Sequence, residues 1–173
     1  MSLFNLKDKS ILITGSSRGI GKAIAKHCAM HGANVIISSR KEDACIETAN
    51  EINSLVGEDL AYPIAASISN TDQLKLLVSK TREKYGKIDV LICNAATNPF
   101  MGSMLDMPSE KFDKVMENNI KSNQFLCNLV IPEMVDRNDG SIIIISSIGG
   151  LKGSSILGAY NISKAADIMM VKN

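Results

Sequence analysis

Short, continuous apolar runs alternate along this chain with longer segments of helical period. The apolar runs are uninterrupted, which is typical of strands buried on both faces of a parallel sheet. They predict strands at Ser10–Thr14, Asn34–Ser38, Leu60–Ala65, Val90–Asn94 and Ser141–Ser146. Between them, apolar side chains three and four residues apart predict helices at Ile20–His31, Glu42–Val56, Asp72–Tyr85 and Glu110–Val135.

Residues at the predicted boundaries support these elements. Gly32 and Gly86 stand where the first and third helices should end, and Thr71 stands where an N-cap of the third helix is expected. The β-α-β-α order predicts an α/β fold, a Rossmann-type doubly wound parallel sheet in three α/β/α layers. Because no linker or repeat divides the chain, we expect one domain over residues 1–173. Its ligand crevice should lie at the carboxyl ends of the strands.

Composition narrows the classes of function. With 19 basic and 18 acidic side chains, the net charge of +1 gives no reason to expect a nucleic-acid or membrane partner. The chain shows neither a membrane-spanning apolar stretch nor the apolar core of a signal peptide, so a cytoplasmic location is expected. His27 and His31 lie one helical turn apart, but no third ligand is near them in sequence, and an exposed helix face is favoured over a metal site. The four cysteines are expected as free thiols.

A glycine-rich turn joins the first predicted strand to the first predicted helix. It reads Thr14-Gly15-Ser16-Ser17-Arg18-Gly19-Ile20-Gly21. Gly15 suits a tight turn, Gly19 allows the main chain to approach a diphosphate, and Gly21 allows close packing of the helix. The helix N-terminus adds N–H groups and a positive dipole. The turn therefore predicts a dinucleotide site, against the alternative of glycines that only shape a turn; its residues are Gly15, Ser17, Arg18, Gly19, Ile20 and Gly21.

The end of the second predicted strand indicates which dinucleotide. An acidic residue there usually binds the ribose hydroxyls of NAD, but this chain has Ser38-Ser39-Arg40-Lys41. Ser39 offers a hydroxyl and Arg40 a planar guanidinium suited to a phosphate, and Arg18 can approach the same place. NADP(H) is therefore favoured over NAD(H). The alternative is that Arg40 and Lys41 are only the solvated start of the next helix.

A Tyr-x-x-x-Lys pair follows the fifth predicted strand. Tyr160 and Lys164 fall on one helix face, and Ser147 precedes them at the carboxyl end of the strand. Carbonyl reduction needs a proton donor beside the nascent alkoxide. Because a phenol ionises at about pH 10 in water, an ammonium one turn away is needed if Tyr160 is to act at neutral pH. Ser147 would bond the oxygen on which negative charge develops.

These motifs, in this order, resemble the short-chain dehydrogenase/reductase family, whose usual turn is T-G-x-x-x-G-I-G. The resemblance implies hydride transfer between a carbonyl and an alcohol at a Ser-Tyr-Lys site, with Lys164 also holding the nicotinamide ribose. It implies that Asn94 and Ala95 lie beside the cofactor, and that Asn119 belongs to a proton relay reaching the lysine. For Asn119 the alternative is a polar helix residue with no catalytic part. The implied catalytic set is Asn119, Ser147, Tyr160 and Lys164.

A shorter stretch, Asn94 to Phe100 followed by Gly102-Ser103, resembles the branch of NADP-dependent retinol dehydrogenases and carbonyl reductases, the dehydrogenase/reductase member-four group. That resemblance implies ketone, aldehyde or dicarbonyl substrates, and the family implies a homo-oligomer, either dimer or tetramer. Ala96 departs from the commonest N-A-G ending of the family, which places a methyl close to the cofactor.

The family continues beyond the point that Asn173 reaches, with two more strands and a substrate-binding loop. We therefore expect a sheet that lacks the last two family strands and leaves Ile142–Ile145 at an apolar edge. Three functions stay open at this point: an active NADP(H)-dependent reductase, a cofactor-binding module without turnover, and a protein that only oligomerises or pairs with a longer relative.

Overall fold

Five parallel strands form one sheet with helices on both faces in the computed structural model, which describes residues 4–173. The strands are β1 (Ser10–Thr14), β2 (Asn34–Ser38), β3 (Ala61–Pro63), β4 (Val90–Cys93) and β5 (Ser141–Ile144). The helices are α1 (Gly19–Met30), α2 (Glu42–Val56), α3 (Thr71–Tyr85), α4 (Ser109–Met116), α5 (Ser122–Asp136) and α6 (Gly158–Lys172). The strand order is β3-β2-β1-β4-β5, and the predicted fold class is confirmed.

Two apolar layers enclose the sheet because its central strands are buried on both faces. Leu12 and Ile36 pack on one face, with side chains of α3 and α5. Ile11 and Ile37 pack on the other, with side chains of α1 and α2. The uninterrupted apolar runs are explained by this arrangement, since alternate residues of one strand enter different layers.

The strand order reverses beside β1, which pairs with β2 on one side and β4 on the other. Chains leaving β1 and β4 therefore turn to opposite faces and leave a crevice at the carboxyl ends of these strands. Gly15 follows β1 and Asn94 follows β4, so both lie at this crevice.

The start of α3 corrects one expectation. Asn70, not Thr71, is the N-cap: its side chain accepts hydrogen bonds from the amides of Asp72 and Gln73, both at 3.0 Å. Thr71 is the first residue of the helix. Asn and Thr can both cap a helix, and here the backbone turns helical one residue earlier than the apolar period indicates. The predicted ends at Gly32 and Gly86 are confirmed by their positive φ values of 88° and 79°.

The long helix predicted at Glu110–Val135 is not one regular α-helix. A π-helical segment, Glu117–Lys121, separates α4 from α5. The widened turn carries Asn118 and Asn119, which are buried. A π segment keeps the chain helical, so the apolar spacing that predicted one helix does not reveal it.

Three strands are shorter than predicted at their carboxyl ends. β3 ends at Pro63 on the outer edge of the sheet, where proline is tolerated, and the amides of Ile64 and Ala66 donate to the carbonyls of Ile37 and Ser39. At the ends of β4 and β5 the chain leaves the ladder to bind side chains of the crevice. β5 lies at the sheet edge as predicted, with Ile143 44% exposed.

A single domain over residues 1–173 stays a prediction, and residues 1–3 lie outside the described part. Among residues 4–173, no helix is long and apolar enough to cross a membrane. Over the same residues, no group of three or more His, Cys, Asp or Glu side chains could hold a metal ion. The thiols of all four cysteines are free.

Candidate active site

The glycine-rich turn leaves an open cradle between β1 and α1. Gly15 and Gly19 have φ values of 67° and 57°, in the left-handed region that favours glycine. A Cβ on Gly19 would meet no atom of residues 4–173 within 4 Å. A Cβ on Gly21 would lie 2.5 Å from the Gly15 carbonyl oxygen and 2.6 Å from Asn94 Nδ2. Gly21 therefore allows contact within the protein, whereas Gly19 faces the open crevice.

Neighbouring elements hold the turn in place. Ser16 is fully buried; its hydroxyl donates to the Ile13 carbonyl at 2.8 Å and accepts from the Ser38 amide at 2.8 Å. Thr48 of α2 donates to the Ser17 carbonyl at 3.1 Å. The turn is therefore tied to the end of β2, and Arg18 and Ile20 are exposed beside it. In the described structure Arg18 is the N-cap of α1 and makes no side-chain capping bond.

Asn94 links the ends of β1 and β4. Its Nδ2 donates to the carbonyls of Thr14 and Gly15, at 2.9 and 3.1 Å. The Thr14 hydroxyl accepts from the amides of Asn94 and Ala95, both at 3.1 Å. These bonds hold the first and fourth strands together at the point where the crevice opens, beside the glycine turn.

The end of β2 presents the residues expected to select the dinucleotide. Ser39 is half-buried, with its hydroxyl 3.2 Å from the Cys45 sulfur, and Arg40 is exposed. The Ser16 amide donates to the Ser38 carbonyl, and the Ser38 amide donates to the Ser16 hydroxyl. The end of β2 therefore lies directly beside the turn that carries Arg18. Ser39, Arg40 and the turn therefore border one region of the crevice.

Ser147 and Tyr160 stand at the two ends of the connection between β5 and α6. Ser147 is half-buried and accepts a bond from the Gly149 amide at 3.1 Å, which begins a short turn of 3-10 helix. Tyr160 is half-buried in the first turn of α6. The Lys164 Nζ lies 5.8 Å from the centre of the Tyr160 ring, so the predicted shared helix face is confirmed.

Lys164 is buried, with only 3% of its side chain exposed. Its ammonium donates to the Ile145 carbonyl and to Asp167 Oδ2, both at 2.8 Å. Asp167 is 0% exposed. Sequence reasoning missed this carboxylate, although it is the only acidic residue of α6 and falls three positions after the lysine.

Asn119 lies in the π-helical segment and is fully buried. Its Oδ1 accepts from the Thr97 amide at 2.7 Å, and its Nδ2 donates to the Thr97 carbonyl and to Ser163 Oγ at 2.9 and 3.0 Å. The Asn119 side chain thus joins the segment after β4 to α6. The main-chain carbonyl of Asn119 accepts a hydrogen bond from Asn123 Nδ2 at 2.8 Å.

Asn123 extends this set of contacts towards the lysine. The second proton of its Nδ2 amide bonds to Asp167 Oδ1 at 3.1 Å, while Asp167 Oδ2 accepts from Lys164. The structure therefore connects Asn119 to Lys164 through Asn123 and Asp167. Asn123 follows Asn119 by one helical turn, a spacing that could have indicated it.

The thiols of Cys93 and Cys127 lie close to the Lys164–Asp167 ion pair. A hydrogen bond with Cys127, together with burial, raises the pKa of Cys93 well above its usual value. The Asp167 carboxylate acts in the same direction and the Lys164 ammonium in the opposite one. Cys93 is therefore neutral at physiological pH, and its surroundings include both charges of the ion pair.

Comparison with known proteins assigns the family. Residues 9–173 match the family model described as short chain dehydrogenase. The chain belongs to the short-chain dehydrogenase family. Within that family it is 38% identical over 169 residues to the cattle (Bos taurus) protein named dehydrogenase/reductase SDR family member 4, a match that covers 97% of this chain and 60% of that protein. The chain thus spans about three fifths of the length of this curated relative.

Solved structures of the family superpose on nearly the whole chain. L-sorbose reductase from Gluconobacter frateurii, solved with NADPH and L-sorbose, matches with a TM-score of 0.92 and 28% identity, over 98% of this chain and 64% of that one. A 7 alpha-hydroxysteroid dehydrogenase, solved with NADH and 7-oxo glycochenodeoxycholic acid, matches with a TM-score of 0.90 and 33% identity, over 96% and 64%. The sequence resemblance to the family is thereby confirmed.

Proposed function

We propose that the chain carries the NADP(H)-binding and catalytic part of an oxidoreductase that interconverts a carbonyl compound and an alcohol. The observation that carries this proposal is the open glycine turn after β1. The Lys164 ammonium, 5.8 Å from the Tyr160 ring, and Ser147 after β5 support it. The open face at Gly19 and the uncapped N-terminus of α1 suit a diphosphate, which needs close main-chain approach and N–H donors. The cofactor would supply or accept the hydride.

The choice of NADP(H) rests on charge at the end of β2. Similar structures were solved with NADPH and with NADH, so the shared fold does not decide between them. Ser39 stands at the position usual for an acidic residue, and Arg40 and Arg18 border the same region with their guanidiniums exposed. The phosphate that distinguishes NADP(H) from NAD(H) would gain charge-assisted hydrogen bonds from the two arginines. Ser39 presents no carboxylate to repel it.

In this proposal Tyr160 donates a proton to the carbonyl oxygen during reduction and accepts one from the alcohol during oxidation. Lys164 places a positive charge 5.8 Å from the tyrosine ring, which favours the ionised phenol. Ser147 donates a hydrogen bond to the substrate oxygen as negative charge develops on it. Asn94 and Asn119 hold the segments that frame the crevice.

The substrate proposed is a ketone, aldehyde or dicarbonyl, in line with the similarity to dehydrogenase/reductase member 4. The test is oxidation of NADPH by the chain with a panel of such compounds. Turnover that Tyr160→Phe abolishes, while Tyr62→Phe leaves it intact, is the expected result. Turnover that persists in Tyr160→Phe would contradict the assigned acid. Cytoplasmic location and assembly into a homo-oligomer stay predictions.

The nucleotide preference has its own test, Arg40→Ala against the neighbouring Lys41→Ala. We expect Arg40→Ala to raise the Kd for NADPH about tenfold, the loss of one charge-assisted contact, and to leave the Kd for NADH within about twofold. Equal effects on both nucleotides would contradict the phosphate contact.

A second candidate is a module that binds the nucleotide without turnover. Ile148 and Leu151, which follow Ser147, are 70% and 76% exposed, so among residues 4–173 nothing covers this apolar segment to form the wall of a substrate pocket. Thermal stabilisation by NADP together with a lack of NADPH oxidation across the carbonyl panel would support this candidate over the reductase.

A further inference from the structure

The proton transfer described above uses Lys164 but leaves its buried partner in α6, Asp167, without a role. The Lys164 side chain is 3% exposed, so its ammonium has lost nearly all contact with water. The hydrogen bond that the ammonium donates to the Ile145 carbonyl does not replace a counter-charge. Desolvation of this kind favours the neutral amine unless an anion lies close by. Asp167 Oδ2, at 2.8 Å, is that anion.

The environment of Asp167 suits an ionised carboxylate. Oδ1 accepts from the Asn123 amide and Oδ2 accepts from the Lys164 ammonium, so both oxygens act as acceptors. Asn123 is itself held by the Asn119 carbonyl. A chain of fixed donors therefore keeps the negative charge beside Lys164 rather than beside Tyr160, which lies seven residues from Asp167 and two turns away along α6.

Other ionisable groups around the pair differ in distance and exposure. Cys93 of β4 interacts with both charges and stays neutral because burial and its bond with Cys127 raise its pKa. On the neighbouring α4 and π segment, Lys111 is half-buried and Glu117 is exposed. Among residues 4–173, Asp167 is the only acidic side chain within 4.0 Å of the Lys164 ammonium, so it is the dominant partner of Lys164.

We propose that Asp167, held by Asn123, is a positioning residue that keeps Lys164 charged inside the protein and thereby sustains its effect on Tyr160. The inference rests on the proposed role of Tyr160 as acid and base. Without Asp167, the buried ammonium has no counter-charge at hydrogen-bond distance, and the positive charge near the Tyr160 ring is no longer sustained.

Tyrosinate absorbance tests this directly, because the chain contains three tyrosines and no tryptophan. The rise in absorbance that is due to ionisation of Tyr160, here called the Tyr160 step, is obtained for each protein by subtracting the titration of the same protein carrying Tyr160→Phe. Burial, with the charges of Tyr62 and Asp59, raises the pKa of Tyr85 to about 12, so its step is well separated at high pH. We expect Asp167→Asn to move the ionisation of Tyr160 to higher pH, because the phenolate then lacks a sustained positive charge near its ring.

Matched variants separate this role from a structural one. Asp136→Asn removes an exposed carboxylate of α5 and should leave the Tyr160 step unchanged. Asp167→Glu keeps the charge, and its Tyr160 ionisation should return most of the way to the wild-type pH. An unchanged step in Asp167→Asn would show that Asp167 only supports the fold, and a step at lower pH would show that it opposes Lys164; either result overturns the proposal.

A double variant covers the case in which Asp167→Asn does not fold. Lys164→Met with Asp167→Leu removes both charges and leaves neither buried alone, a replacement that proteins often tolerate. The Tyr160 step of this variant should lie above that of the wild type, and an equal step would overturn the proposal. None of these titrations needs turnover, so absence of NADPH oxidation by the wild type would overturn the proposed function and leave the test of Asp167 intact.

Discussion

Replacing Gly19 by alanine separates the cost of backbone strain from loss of nucleotide binding. Gly19 has φ of 57°, and an alanine there must adopt the left-handed region, which costs about 1–2 kcal/mol. Gly57, at the C-terminus of α2, has φ of 76°; as at Gly19, a Cβ there would meet no atom of residues 4–173 within 4 Å. Gly19→Ala and Gly57→Ala should therefore lower the free energy of unfolding by similar amounts.

The two variants should differ only when nucleotide is present. The added methyl at Gly19 projects into the space proposed for the diphosphate, whereas Gly57 lies away from the crevice. Loss of one or two charge-assisted bonds, about 2.7 kcal/mol in total, weakens binding about a hundredfold. At a concentration 100 times the wild-type Kd, NADP stabilises the wild type by about 2.7 kcal/mol and the Gly19 variant by only about 0.4 kcal/mol.

Thermal unfolding with and without NADP measures both quantities. In a chain of this size, each kcal/mol corresponds to about 2–4 °C in Tm. The wild type and Gly57→Ala should thus gain about 5–11 °C with nucleotide, and Gly19→Ala about 1 °C. Equal gains in the two variants would refute the assignment of Gly19 to the nucleotide site.

Three further outcomes follow from contacts in the structure. Asn119→Ala leaves both main-chain polar groups of Thr97 without their partner and should lower the free energy of unfolding in urea by about 2–3 kcal/mol. The exposed cap variant Asn70→Ala should lower it by about 1 kcal/mol, and equal losses would contradict the bridging role of Asn119. Gly21→Ala should destabilise the chain by about 1–3 kcal/mol even without nucleotide, because its Cβ would lie 2.5 Å from a carbonyl oxygen, and a neutral effect would show that the turn can widen. Burial alone would raise the pKa of Asp89, but the Ser10 amide and the ammoniums of Lys87 and Lys9 lower it below its ordinary value. Asp89→Asn should therefore be less stable than the wild type at neutral pH, by a difference that shrinks as the pH falls below about 4. A difference independent of pH would contradict this.

Local patterns were sufficient to predict most elements of the fold. The bounds of β1, β2 and α2 agree with those expected, because each apolar run or period ends at a polar or glycine residue that also ends the element. The π segment and the Asn70 cap were not predicted. Both depend on one-residue changes in backbone geometry that leave the apolar spacing intact.

The candidate site divides in the same way. The glycine turn and the Tyr160/Lys164 pair are encoded within a few consecutive residues, so their spacing alone places them on a turn and on one helix face. That spacing carried the family resemblance, and the alternation of apolar runs with helical segments predicted the parallel sheet and the crevice at its carboxyl edge. The contacts of Asn119 with Thr97, and of Asn123 with Asp167, join residues 22 and 44 positions apart. Only packing of the π segment against α6 brings these groups together in the protein interior, and burial is the reason that the Asp167 charge matters for Lys164.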